Sequence, residues 1–167
     1  NNGYTRVRQL VRAMVDSLEY SGFDWSSFDN DGDGYVDALN LIHQGPGAEE
    51  GDYSNIWSHK SSLGQLSVTY DGVIISSYTM NPEIQSGNIV AIGVLAHEFG
   101  HALGLPDLYD TDYTSTGAGA FSLMASGAWG TTGNSPWHPS TMIGWCKNEL
   151  GWVEVVEITD DQTRPAG

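Results

Sequence analysis

Apolar residues recur along the first twenty positions at the spacing of a helix. Val7, Leu10, Val11, Met14, Val15 and Leu18 fall three and four apart between Tyr4 and Tyr20, with Gly22 as a stop, which predicts one apolar face on an amphipathic helix. Asp24 to Gly34 is acidic and turn-rich. Tyr35 to His43, carrying Val36, Leu39, Leu41 and Ile42, is predicted as a strand, and Gly45 to Asn55 as a loop. Leu66 to Tyr70 and Val73 to Met80 are predicted strands joined at Asp71-Gly72, a pair suited to a tight hairpin turn. Asn88 to Leu103 is predicted as a second helix, turning Ile89, Ile92, Leu95, Ala96, Phe99 and Leu103 toward a core. Ser86 or Asn88 would cap it and Gly104 would end it. Pro106 to Pro139 is irregular, and a loop that long in a compact domain is functional or needs something to pin it. Ser140 to Leu150 is a predicted last helix and Trp152 to Ile158 a short strand. The polar tail from Thr159 marks a domain edge.

The second helix carries the chemistry, in the run His97-Glu98-Phe99-Gly100-His101-Ala102-Leu103-Gly104-Leu105-Pro106-Asp107. Positions four apart leave one helix face a turn apart, so both imidazoles can reach one Zn²⁺ at about 2.1 Å. Glu98, one residue beyond the first ligand, points near the metal without needing to bind it, where a base for the metal's water belongs. Gly104 lets the chain turn back and bring Asp107 as third ligand. Asp110 and Asp112 are the near rivals, and His59 and His138 lie at no favoured spacing. Between Tyr113 and Asn148 there is no Asp or Glu, which leaves Glu149 as a distant candidate.

Composition narrows the class. Apolar residues make up 40% of 167 positions, enough for a core in one domain or two small lobes. Six Lys and Arg against 21 Asp and Glu give a formal charge of −15, which repels nucleic acid and anionic membranes. No stretch approaches the ~18 apolar residues of a membrane span. Cys146 stands alone, so no internal disulfide forms, and a buried inert thiol is expected. The chain opens Asn1-Asn2-Gly3-Tyr4 without Met, the mark expected of a piece processed from something longer.

Some of the acidic charge has a pattern. Asp29-Asn30-Asp31-Gly32-Asp33-Gly34-Tyr35-Val36-Asp37 places carboxylates at positions 1, 3, 5 and 9 of an EF-hand-type loop. Gly34 supplies the turn, and the Tyr35 carbonyl is the seventh-position ligand. Four carboxylates in nine residues repel one another without a cation, so Asp29, Asp31, Asp33, Tyr35 and Asp37 are expected to bind Ca²⁺. Position 12 is Asn40 rather than Glu, and no helix follows. The site is therefore a structural loop, suited to the millimolar calcium outside cells. Asp110 and Asp112 are candidates for a second.

The pattern HExxHxxGxxD resembles the metzincin clan in its variant with Asp as third ligand. With Leu105-Pro106-Asp107-Leu108-Tyr109-Asp110, Ile56-Trp57-Ser58-His59, Leu123-Met124-Ala125-Ser126-Gly127 and Trp145 to Trp152, the chain is similar to the immune inhibitor A family of secreted bacterial metallopeptidases over roughly residues 28 to 153. That resemblance implies an α+β, metzincin-like zincin domain spanning 1–167. Its upper lobe, to about residue 104, would hold a twisted mixed sheet and the active-site helix. Its lower lobe, from about 105, would be irregular, with Met124 as the Met-turn. It also implies a secreted, extracellular enzyme made with a propeptide that lies outside this chain, and a monomer acting on protein or peptide substrates.

The expected reaction is peptide hydrolysis by zinc-bound water that Glu98 activates. The Val73–Met80 strand would serve as the edge that binds extended substrate. Two other classes fit less well. An inactive calcium-dependent binding module has little need of Glu98 beside two ligands, and a zinc amidohydrolase with a non-peptide substrate shares the motif chemistry but not the resemblance.

Overall fold

The computed structural model describes residues 2–112, 114–133 and 135–157. In chain order it forms helix α1 (Asn2–Tyr20), strands β1 (Asn40–Pro46), β2 (His59–Ser62), β3 (Val68–Tyr70), β4 (Val73–Ile75), β5 (Ser77–Gln85) and β6 (Asn88–Ile89), then helices α2 (Ile92–Ala102) and α3 (Gly144–Glu149). Short helical turns fill several of the connections, and the class is α+β.

On α1, Val11 and Val15 are fully buried, with Val7 and Met14 packed beside them. Leu10 and Leu18 were expected on the same face but are 45% and 39% exposed, because the core meets a stripe narrower than the apolar arc. Asp71 and Gly72 take the positive φ values, 51° and 87°, of the hairpin turn their identities favour. They pair Val68 with Ile75 and Tyr70 with Val73.

Three expectations about strands give way to tertiary contacts. First, the sheet ladder begins at Asn40, not Tyr35. Residues 35–37 are tied elsewhere: Val36 N–H donates to Ile74 O and Asp37 N–H to Phe28 O. Second, Val73–Met80 is not one edge strand. It divides at Ser76, whose carbonyl accepts from Leu63 N–H, and only its second half joins the main sheet. There β5 runs parallel to β1 and antiparallel to β2 and β6. With the order β1-β5-β2, β5 is flanked on both sides, and β1 and β2 are the outer strands among the described residues. Third, Trp152 to Glu157 forms no strand; Ile158 and the tail from Thr159 lie outside the described residues.

The helices also shift. Ser86 and Gly87 both have positive φ, 50° and 74°, so they turn β5 into β6 instead of capping a helix, and α2 begins only at Ile92. The predicted last helix shortens to α3. On α2 the buried positions are Gly93, Val94, Glu98 and Gly100, whereas Ile92, Phe99 and Leu103 are 54%, 41% and 39% exposed. Two glycines decide this orientation. Side chains at Gly93 and Gly100 would overlap Ala128 O and Met124 Sδ, so the glycine face is the only one that can seat so closely on residues 122–129.

Two separate cores result. One joins α1, Trp25, Val36 and residues of β1, β4 and β5. The other gathers Leu105, Met124 and Cys146, with Leu108, Met142, Ile143 and Leu150 against them. Cys146 is fully buried, and burial pushes its thiol pKa up, as an inert thiol requires. Helix α2 contacts β5 and β2 and also the turn at 126–129.

Candidate metal centre

His97 and His101 leave α2 one turn apart, rings 4.8 Å apart and edge to face. Each is oriented from behind by a main-chain carbonyl. His97 Nδ1 lies 2.9 Å from Leu123 O and His101 Nδ1 lies 2.7 Å from Leu105 O. A carbonyl only accepts, so this network assigns the proton of each ring to Nδ1 and leaves both Nε2 lone pairs free. Burial, the largest influence on His97, lowers its pKa and favours the neutral form that ligates metals.

The free Nε2 atoms face Asp107, which the chain brings back after Gly104 (φ 96°). Asp107 Oδ1 lies 3.1 Å from His97 Nε2 and 3.2 Å from His101 Nε2. It is buried and no hydrogen bond reaches it. Three potential ligand atoms thus converge, and a cation at their centre would satisfy all of them. The edge of a tetrahedron of ligands around zinc, at about 2.1 Å each, is about 3.4 Å, so the donor set and spacing fit Zn²⁺ with little adjustment. The other Asp107 oxygen, Oδ2, accepts from Tyr109 O–H at 2.9 Å.

Glu98 is buried on the same helix, and its carboxyl pKa is pushed up to about 7. Burial is the main cause, followed by the negative charges of Asp107 and Glu49; a hydrogen bond with the Lys60 backbone pulls the other way. A dication between Asp107 and the histidines would also pull it down.

These residues line a cleft together with Ser58, with His59 and Lys60 of β2, and with Gly104 to Asp107. His59 has its Nδ1 on Trp57 O and its ring edge-on to Tyr78, so it borders the cleft without joining the donor set. Asp110 is likewise separate. Its carboxylate accepts from Asp112, Thr114 and Ser115, which holds its pKa well below the usual range and closes the turn that follows. Met124, fully buried, lies under α2 against Gly100.

In the acidic loop, Asp29, Asp31 and Asp37 each bring a carboxylate oxygen within 4.8 Å of the others. Asp29 gathers the N–H groups of Gly32, Asp33 and Gly34. Asp33 lies outside this trio and accepts from Tyr35 N–H. Among the described residues, these and the His97-His101-Asp107 set are the two clusters of potential metal ligands.

The sequence reading assigned no role to Leu105 O, Leu123 O, Tyr109, Glu49 or the Lys60 backbone. Carbonyl direction leaves no trace in residue identity, and Glu49 lies 49 positions before Glu98 with no spacing to link them.

The chain matches the catalytic domain of immune inhibitor A peptidase M6 over residues 1–153. It is 35% identical over 192 residues to "Immune inhibitor A" of Bacillus thuringiensis subsp. alesti, covering 95% of this chain and 27% of that protein. It is 32% identical over 204 residues to "Pre-pro-metalloprotease PrtV" of Vibrio cholerae serotype O1 (strain M66-2), covering 98% of this chain and 22% of that protein. The chain therefore spans about a quarter of the length of these relatives. Among the described residues, no helix is long and apolar enough to cross a membrane.

Proposed function

The chain belongs to the immune inhibitor A peptidase M6 family, and we propose on that premise that it is the catalytic domain of a secreted bacterial zinc endopeptidase. His97, His101 and Asp107 would hold the zinc, and Glu98 is the general base. The observation that carries this reading is the convergence of three potential metal ligands on one point beside a buried carboxylate.

Zinc, when bound, supplies Lewis acidity to the scissile carbonyl and to the attacking water. Glu98 accepts the proton of that water and returns it to the leaving amine. The Leu123 and Leu105 carbonyls fix both imidazole planes, and Tyr109 holds Asp107 with Oδ1 toward the two Nε2 atoms, the set that would hold the zinc. The free edge of β2 lies beside this group, so an extended peptide would add to it by main-chain hydrogen bonds. Lys60 of that strand also bonds Glu98, which couples the seat of the substrate to the base.

We place the division between an upper and a lower metzincin-like lobe at Gly104. The two separate cores support this, with Met124 as the Met-turn floor. We also assign a calcium ion to the loop of Asp29, Asp31, Asp33, Asp37 and the Tyr35 carbonyl, where crowded carboxylates would otherwise repel. A monomer released outside the cell from a propeptide-bearing precursor completes the reading; for the precursor, the Vibrio relative is named a pre-pro-metalloprotease.

Metal analysis and casein cleavage on the wild type and Glu98→Gln test the core of this. About one zinc in both proteins with cleavage only in the wild type is expected; cleavage that survives the substitution overturns the mechanism. For the loop, added calcium should raise the Tm of the wild type and leave that of Asp31→Asn unchanged. Equal shifts in both would remove calcium from the loop.

A further inference from the structure

Beside the metal cleft lies a smaller cavity of about 250 Å³ that opens next to His97 and Glu98. Trp57, Val94, Ala128 and Trp129 wall it, and Glu49 and Ser58 supply polar groups. Among the described residues no Lys or Arg lines it; Lys60 borders the neighbouring cleft instead. His97, the one basic side chain present, has Nδ1 on Leu123 O and Nε2 toward Asp107.

The half-buried Glu49 is fixed in place. Its two oxygens accept from Ser58 Oγ–H and Ser58 N–H. Its carboxylate also folds back into the space above Gly47 that a Cβ would fill. A carboxylate anchored so firmly, in an aromatic cavity with no Lys or Arg among its described lining residues, is preorganised for a cation that arrives.

We propose that this cavity receives the side chain of a substrate arginine or lysine at a position flanking the cleaved bond, and that Glu49 selects it. The assignment rests on the peptidase reading above. The aliphatic stem of such a side chain lies against Val94 and Ala128. Its cationic head meets Glu49 and the faces of Trp57 and Trp129. An acidic side chain meets two carboxylates, Glu49 and Glu98. An apolar one strips water from Glu49 and returns no partner. The formal charge of −15 draws basic segments toward the cleft in the same sense.

The test uses the zinc-loaded protein and a peptide set varied at the two positions flanking one cleavable bond, with Arg, Lys, Leu, Phe or Glu at each. Casein cleavage is measured alongside. The wild type should show kcat/KM on the order of tenfold or more in favour of Arg or Lys over Leu at one of the two positions, and least for Glu. Glu49→Gln keeps the shape and one acceptor for Ser58. It should reduce the ratio of basic to Leu cleavage about tenfold or more, over and above any change common to all peptides from removing a negative charge near Glu98. Trp129→Leu, which leaves the Glu49–Ser58 contact untouched, should weaken the basic preference in part.

Casein cleavage without a basic preference overturns this assignment and leaves the peptidase reading standing. So does an equal loss on all peptides in Glu49→Gln, which would make Glu49 a structural support only. Absence of any cleavage by the wild type sinks both.

Discussion

Replacing Gly100 by alanine puts a methyl group where Met124 now sits. The Cβ would overlap Met124 Sδ and lie 3.1 Å from Met124 Cε and 3.6 Å from Met142 Cε. At an open position inside a helix the same change gains about 1 kcal/mol. Here the Cβ meets the far end of the fully buried Met124, which must repack against its neighbours, so overpacking costs about 1–3 kcal/mol. Any shift also disturbs the metal centre, because the neighbouring Leu123 carbonyl orients His97 and the Met124 carbonyl accepts from Leu108. A net loss of about 1–2 kcal/mol is expected.

Met124→Val removes Sδ and Cε from the contact. In that background Gly100→Ala should return to the helical value and stabilise by about 1 kcal/mol, a coupling of about 2–3 kcal/mol between the two sites. Urea unfolding followed by tryptophan fluorescence, on metal-free protein, measures the four stabilities. Chelator competition reports the accompanying change in zinc affinity. If Gly100→Ala stabilises the wild type, or has the same effect in both backgrounds, the close packing of Met124 under α2 is refuted.

Three other outcomes follow from particular contacts. Gly93→Ala meets the Ala128 carbonyl, which is backbone and cannot swing away, so it should cost about 3 kcal/mol or more in the same unfolding assay. A cost under about 1 kcal/mol would contradict the seating of α2. Tyr109→Phe removes the hydrogen bond that holds Asp107 Oδ2 and should weaken zinc binding about tenfold by chelator competition, with the fold unchanged by circular dichroism. Asp16 accepts from Arg12 and from Tyr70 O–H, and these bonds, Arg12 first, lower its pKa. A lowered carboxyl contributes stability above its unfolded value, near 4, and loses it as the pH falls through the folded one. Asp16→Asn should therefore cost only about 0.5 kcal/mol at pH 7, since the pair is partly exposed. The difference from the wild type should shrink below pH 4; a difference constant with pH would rule the pairing out.

Local sequence determined the features whose causes are local. The four-residue spacing of His97 and His101, the Asp71-Gly72 turn, the alternation of α1 and the break at Gly104 each follow from backbone geometry within a few residues. The residues named from spacing, His97, His101 and Asp107, are also the ones the fold draws together. Only tertiary structure decided the rest. That β5 is an inner strand depends on β1, almost forty residues before it in sequence. The face that α2 buries was misread because hydrophobicity favoured Ile92, Phe99 and Leu103. Close approach to Ala128 and Met124 instead required the two glycines, and a glycine carries no hydrophobic signal. The carbonyls that hold the imidazoles, and the pairing of Glu49 with Ser58 beside Glu98, arise from backbone direction and long-range packing, which no residue type encodes by itself.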